Sequence, residues 1–183
     1  MRAAGRVAAG ATAVLLLAGC SAATSDAPAA TTAEVRTEAS CLDPDVLDAL
    51  GLELDESLRT RAPAPVTRGL PPEGFVAETA LVCDRGETLR DSAGRWRAVT
   101  ATLLEGDLDP LVDLVAGTTT VAACGTGVVA QVWLVDAMGA AVLLPRDAAC
   151  AGDELAVALA DLGVVDRTEH PVALAQPVAG ASS

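Results

Sequence analysis

Chemistry in a polypeptide calls for an imidazole, an activated nucleophile, facing carboxylates or a set of metal ligands, and this chain offers few of these. His170 is the sole histidine, and Pro171 follows it in a stretch without periodicity. A general base must be held within hydrogen-bond reach of its proton, so His170 reads as a solvated tail residue. In the body of the chain Ser57 and Ser92 are the hydroxyl nucleophiles. Neither lies in a G-x-S-x-G turn, and the chain has no Lys to replace a histidine base. Carboxylates cluster as Asp43/Asp45/Asp48, Asp107/Asp109/Asp113 and Asp153/Glu154, all at expected helix starts, where acids cap and oppose the helix dipole. Gly106-Asp107-Leu108-Asp109 lacks the spacing of a calcium loop, and Gly125-Thr126-Gly127 opens a strand where a phosphate loop would open a helix. No catalytic residue is assigned, and neither a cofactor nor a metal is expected. The rival reading, a cell-envelope hydrolase, would need two of these acids facing across one cleft.

Two tryptophans could contact a ligand. Trp96 is flanked by Arg95 and Arg97, whose guanidinium forks suit carboxylate or phosphate, and Trp133 sits in the middle of another apolar run. Mid-strand tryptophans more commonly pack in a core. These four residues are candidate ligand contacts, weighed against a core role for the rings and surface pairing for the arginines. Arg59, Arg61 and Arg68 lie in a Pro-rich stretch and are expected to pair with surplus acids.

Leaving Cys20 aside, four cysteines remain, Cys41, Cys83, Cys124 and Cys150. No two have metal-knuckle spacing, and an even count in an exported domain predicts two disulfides. Cys124 and Cys150 bracket an expected hairpin, which brings its ends together, so Cys124–Cys150 is geometrically favoured and Cys41–Cys83 follows by elimination. Each closed loop would contribute roughly 3.5 to 4 kcal/mol in the chain-entropy picture.

The elements that must position these residues follow from pattern. Asp43, Pro44 and Gly51 frame a short amphipathic helix with Val46, Leu47 and Leu50 on one face. Residues 55–74 carry several Pro and Gly and predict a long irregular connection. Residues 75–83 and 96–104 read as strands. A helix then runs from Asp107 or Asp109 to Gly117 with Leu108, Leu111, Val112 and Val115 as its stripe. A second strand pair, 127–136 and 140–145, precedes a helix over 152–163 with Leu155, Leu159 and Leu162 inward. The expectation is an α+β domain over residues 41–165: a short helix, then two β-β-α units, forming an antiparallel sheet with helices on one face. Residues 166–183, with two Pro and mixed polarity, read as a flexible tail in which Val172-Ala173-Leu174 could add an edge strand.

The N-terminus carries the one specific motif. Arg2 and Arg6 precede an uncharged apolar run over residues 7–17, shorter than the roughly 20 residues of a spanning helix, so residues 1–19 read as a cleaved signal. The boundary Leu17-Ala18-Gly19-Cys20 resembles the lipobox of bacterial lipoproteins. That resemblance implies a diacylglyceryl group on Cys20, cleavage before it, a palmitate-type acyl anchor and a place on the extracytoplasmic face of the cell membrane. Two acyl chains hold firmly where one binds reversibly. Trp96 before Gly106-Asp107, Trp133-Leu134-Val135-Asp136 and Pro145-Arg146-Asp147 before Cys150 resemble uncharacterised exported lipoproteins of high-GC Gram-positive bacteria, a likeness that implies no activity. Residues 20–40, rich in Ala, Ser and Thr, read as the lipidated residue and a flexible linker.

The full chain carries a formal charge of −13, and loss of residues 1–19 removes Arg2 and Arg6 and no acid, which makes it −15. Such a charge repels nucleic-acid phosphates and anionic headgroups alike. Nucleic acid is therefore excluded as a partner, and the membrane is reached through lipid alone. What remains is a non-catalytic surface module whose partner is an envelope protein or small ligand.

Overall fold

The computed structural model describes residues 31–60, 64–117, 129–146, 148 and 153–178. In chain order these form α1 (Pro44–Ala49), a 3-10 turn (Glu56–Leu58), β1 (Thr79–Arg85), β2 (Leu89–Arg90), β3 (Gly94–Glu105), α2 (Asp109–Gly117), β4 (Gln131–Val135), β5 (Ala141–Leu143), α3 (Asp153–Ala160) and β6 (Gly163–Pro177). Six strands make one antiparallel sheet. With the helices this is an α+β arrangement, and β-β-α recurs twice along it, with β2 as a short addition to the first unit.

β3 is the central strand. β6 pairs with it from Gly94 to Glu105 and so takes up one whole edge. β1 and β2 therefore share the other edge, β1 along Val99–Glu105 and β2 at Arg95 and Trp96. β4 pairs with β1, and β5 with β4. Across the sheet the order is β6, β3, β1 with β2, β4, β5.

Helices cover both faces, where the sequence led us to expect one. Alternation along a strand sends neighbouring side chains to opposite faces. Ala80, Leu104, Val132, Leu134 and Val142 meet Leu108, Leu111 and Val115 of the α2 region and Leu155 of α3. On the other face Cys83, Val99, Trp133, Leu143 and Val172 meet Val46, Leu47 and Leu50 of α1. The register decides this. Cys83 and Trp133 point away from α2, and the Cys41–Cys83 disulfide, with Cα atoms 5.3 Å apart, brings the chain entering α1 to that side. Cys124 and Cys150, the other expected pair, lie outside the described residues.

The caps agree with the sequence. The Asp43 carboxylate accepts from the Asp45 N–H at 2.9 Å, and Pro44 takes the first helical position. Gly51 follows α1 at φ 62°, the left-handed region where Gly avoids a steric cost. Arg85 of β1 then donates from Nε to the Leu50 carbonyl at 2.6 Å, so a strand residue satisfies an orphan acceptor at the helix end. Asp107 accepts from the Asp109 N–H at 3.1 Å and opens α2.

Two segments differ from expectation. Residues 166–177, read as tail, belong to the 15-residue strand β6. Val172 is its sole buried residue, so neither face shows a period of two and the pattern is invisible. Backbone pairing to β3 orders it, and its prolines are tolerated because it lies on an edge. Residues 31–40, read as linker, are pinned to the domain. The Ala33 N–H donates to the Leu70 carbonyl at 2.8 Å, the Leu70 N–H to that of Thr31 at 2.8 Å, and Arg36 and Ala141 exchange bonds of 2.7 and 2.8 Å. Ala33 is buried with the α2 and α3 cluster. The bonds replace the apolar payload that this segment lacks. Residues 21–30 lie outside the described residues.

The disulfide joins residues 42 apart in sequence. Replacing Cys41 and Cys83 together by Ala is expected to lower unfolding free energy by about 3–4 kcal/mol, measured as a lower urea midpoint with an unchanged far-ultraviolet spectrum.

Candidate functional site

The arginines and tryptophans singled out in sequence do not meet at one place. Trp133 is 1% exposed. It is a core residue beside the disulfide and cannot touch a ligand. Its indole Nε1 has no acceptor among the described residues, an arrangement that costs about 1–3 kcal/mol. Trp96 lies on one face of β3, while Arg95 and Arg97 are exposed on the other, since residues one apart along a strand diverge. Trp96 is 9% exposed and spans from Leu89 of β2 to Leu174 of β6 through its strand register. Its indole Nε1 donates to Asp91 Oδ1 at 2.9 Å. The same oxygen accepts from the backbone N–H groups of Ala93 and Gly94 at 2.8 and 3.0 Å. Trp96 is thus clamped to the β2–β3 turn.

Arg68 carries an interaction that the sequence does not reveal. Its guanidinium donates to Gln131 Oε1 at 2.7 Å and to the Asp45 carbonyl at 2.9 Å. It holds β4 and α1 together from the Pro-rich connection. Burial, with the like charge of Arg146 second, lowers its pKa to about 10. Arg146 donates to Asp48 Oδ2 at 3.0 Å. Arg68 and Gln131 lie 63 positions apart, and no local pattern marks such a pair.

Several of the hydroxyl, imidazole and carboxyl groups weighed in the sequence have defined places in the fold. The Ser57 hydroxyl donates to Asp55 Oδ1 at 2.6 Å inside the 3-10 turn. His170 stands in β6 opposite Val99 and is half-buried. Asp43 caps α1, with its pKa raised chiefly by burial. Asp45 accepts from the Val66 N–H at 2.7 Å. Among the described residues no group of three or more His, Cys, Asp or Glu could hold a metal ion, and no helix is long and apolar enough to cross a membrane.

A concavity remains, formed by the end of the expected irregular connection, by residues 75–78, which were read as strand but precede β1, and by the turn between β4 and β5. Residues 72–78 and the β4–β5 turn line a cleft of about 390 Å³, with Pro72, Phe75, Val76 and Met138 as apolar wall and Glu73, Glu78 and Asp136 as acids. Hydrogen bonds tie both walls. Phe75 donates its N–H to the Pro72 carbonyl at 3.0 Å, and Glu78 donates to the Val135 carbonyl at 2.8 Å. Asp136 Oδ1 accepts from the N–H groups of Met138 and Ala140, both at 2.8 Å. Gly139, at φ 85°, completes the turn. Phe75 roots the first wall in the α2 and α3 core. Met138 is 90% exposed and Val76 66% exposed, so the fold holds two apolar side chains in water beside two exposed carboxylates, Glu73 and Glu78. Apolar wall residues with acids at the rim are the composition that a ligand site needs.

No protein-family model matches this chain, and neither does any curated protein or solved structure.

The Asp91 carboxylate is held below its usual range, first by the Trp96 indole. A lowered folded-state pKa adds stability above the unfolded value, and that stability is lost as pH falls through the folded one. Acid titration of tryptophan fluorescence is expected to show a transition below the ordinary carboxylate range. In Asp91→Asn, whose amide oxygen accepts at every pH, this transition should vanish.

Proposed function

We propose that this protein is a lipid-anchored binding module on the extracytoplasmic face of a bacterial cell membrane. Its cleft takes a basic, partly apolar polypeptide segment of an envelope partner. The observation that carries the location is the lipobox-like Leu17-Ala18-Gly19-Cys20 behind an uncharged apolar run that starts after Arg6. The docked segment adds a constraint of length. Eleven residue steps separate Cys20 from Thr31, and at about 3.3–3.6 Å per residue they span at most roughly 40 Å. The domain therefore works close to the bilayer.

Charge complementarity supports the ligand class. Glu73 and Glu78 border Phe75, Val76 and Met138, and the chain as a whole is strongly acidic. A segment carrying Lys or Arg next to an aliphatic residue would satisfy both parts of the cleft and be steered towards it. Of the acids that a hydrolase would require, Asp43 and Asp107 act as caps and Asp48 is paired with Arg146. No observation favours that second reading.

Labelling with a fatty acid tests the anchor. The parent chain is expected to take up label and fractionate with membranes, and Cys20→Ser to do neither. An unlabelled parent, or a Cys20→Ser chain that stays with the membrane, would overturn this assignment. The cleft is tested with a fluorescent peptide of alternating Lys and Leu against its Glu-for-Lys counterpart. The basic peptide alone should bind, more weakly as salt rises. Glu73→Gln with Glu78→Gln, and separately Met138→Ser, should each weaken binding about tenfold. Equal binding to these variants and the parent would show that the peptide sits elsewhere.

A further inference from the structure

The two edges of the sheet are treated differently. Beyond β5 the chain closes the edge, since Arg36 and Ala141 exchange two backbone bonds and the Gly69 N–H donates to the Leu143 carbonyl at 3.1 Å. Beyond β6 it does so only near one end. The Asp55 N–H donates to the Val172 carbonyl at 2.6 Å. From Gly163 to Pro171 no backbone bond other than those to β3 is found among the described residues. A long edge with free N–H and carbonyl groups is a template for another strand. Exposed Val164 and Val165, at 65% and 52%, lie on it.

The charges on this edge specify what fits it. Pairing with β3 runs without a register shift from Asp166 to Pro171, between irregularities at either end. Two copies of one strand related by a two-fold axis pair antiparallel, and outward-facing residues must meet outward-facing residues. The axis therefore passes through a residue. If it passed through Arg167 or Glu169, that residue would oppose its own copy, placing like charges together. At Thr168 it sets Arg167 opposite Glu169 of the second copy and Asp166 opposite His170 of the second copy, each twice. Arg167 has its side chain 64% exposed and lies 3.7 Å from Glu169 of its own chain; Glu169 Oε1 also accepts from the Thr100 hydroxyl of β3 at 2.7 Å, so the pair across copies shares or turns out that carboxylate. Thr168 donates its hydroxyl to Asp166 at 3.1 Å, orienting that carboxylate locally. Opposite charges directly across a pair stabilise it, and like charges do the reverse.

We propose that the protein self-associates through antiparallel β6–β6 pairing about a two-fold axis at Thr168, which joins two domains into one continuous sheet. This proposal is independent of the cleft and its ligand. Sedimentation velocity of the intact mature chain over a concentration series tests it. The expected result is a monomer–dimer equilibrium whose dissociation constant rises at least tenfold in Arg167→Glu with an unchanged circular dichroism spectrum. As a second readout, Thr168→Cys should give a disulfide-linked dimer under mild oxidation, and Val178→Cys should not. A chain that stays monomeric at every concentration would overturn the proposal, since the edge would then be covered by another segment of its own chain or by nothing. A dimer indifferent to Arg167→Glu, without the Thr168→Cys cross-link, would equally overturn it by placing the interface elsewhere.

Discussion

Every other part of this domain depends on β3 being hydrogen-bonded along both edges. A twelve-residue strand pairs throughout with β6 on one side and with β1 and β2 on the other. Its backbone donors and acceptors are thereby satisfied, which a buried strand must achieve, and the sheet gains a stiff middle. Both faces can then be covered. α2 and α3 pack over one, and α1 with the disulfide over the other. Because the register is fixed, each strand residue has an assigned face. Trp133 and Cys83 go to the α1 side and Leu134 and Ala80 to the α2 side. A slip of one residue would exchange them.

The irregular parts are tied to this frame by few but specific contacts. Arg68 links the Pro-rich connection to α1 and β4, and Asp45 accepts from Val66 in the same connection. Asp136 and Asp91 each gather neighbouring donors into a tight turn. In a chain of such acidity, many carboxylates spend their charge on backbone N–H groups, which turns potential repulsion into turn and cap geometry. Among the acids that the sequence placed at helix starts, Asp43, Asp45 and Asp107 are used in this way.

The cleft is built from the same means. The β4–β5 turn and the Pro72–Glu78 loop meet because β4 pairs beside β1, so the end of one strand and the approach to the other are neighbours. Glu78 confirms the adjacency by bonding to Val135. Met138 stands at the tip of that turn, exposed among the described residues. The backbone of the turn, not the side chain, is what the Asp136 carboxylate holds in place.

Helix limits at Asp43, Gly51 and Asp107 were legible in the sequence because caps are chosen by neighbours within four positions. The stripe of Leu108, Leu111 and Val115 was legible for the same reason, as was the α+β class. β6 and the docking of residues 31–40 were not, since backbone pairing orders them and leaves no side-chain pattern. The division of helices between two faces, the separation of Trp96 from Arg95 and Arg97, the Arg68–Gln131 bond and the cleft depend on which strands lie side by side. That choice joins residues tens of positions apart, and local propensity carries no information about it. Sequence alone determined the Leu17-Ala18-Gly19-Cys20 run behind its apolar stretch, the charge and the local starts and stops; only the assembled sheet decided which surfaces meet, because contact between distant segments is set by register.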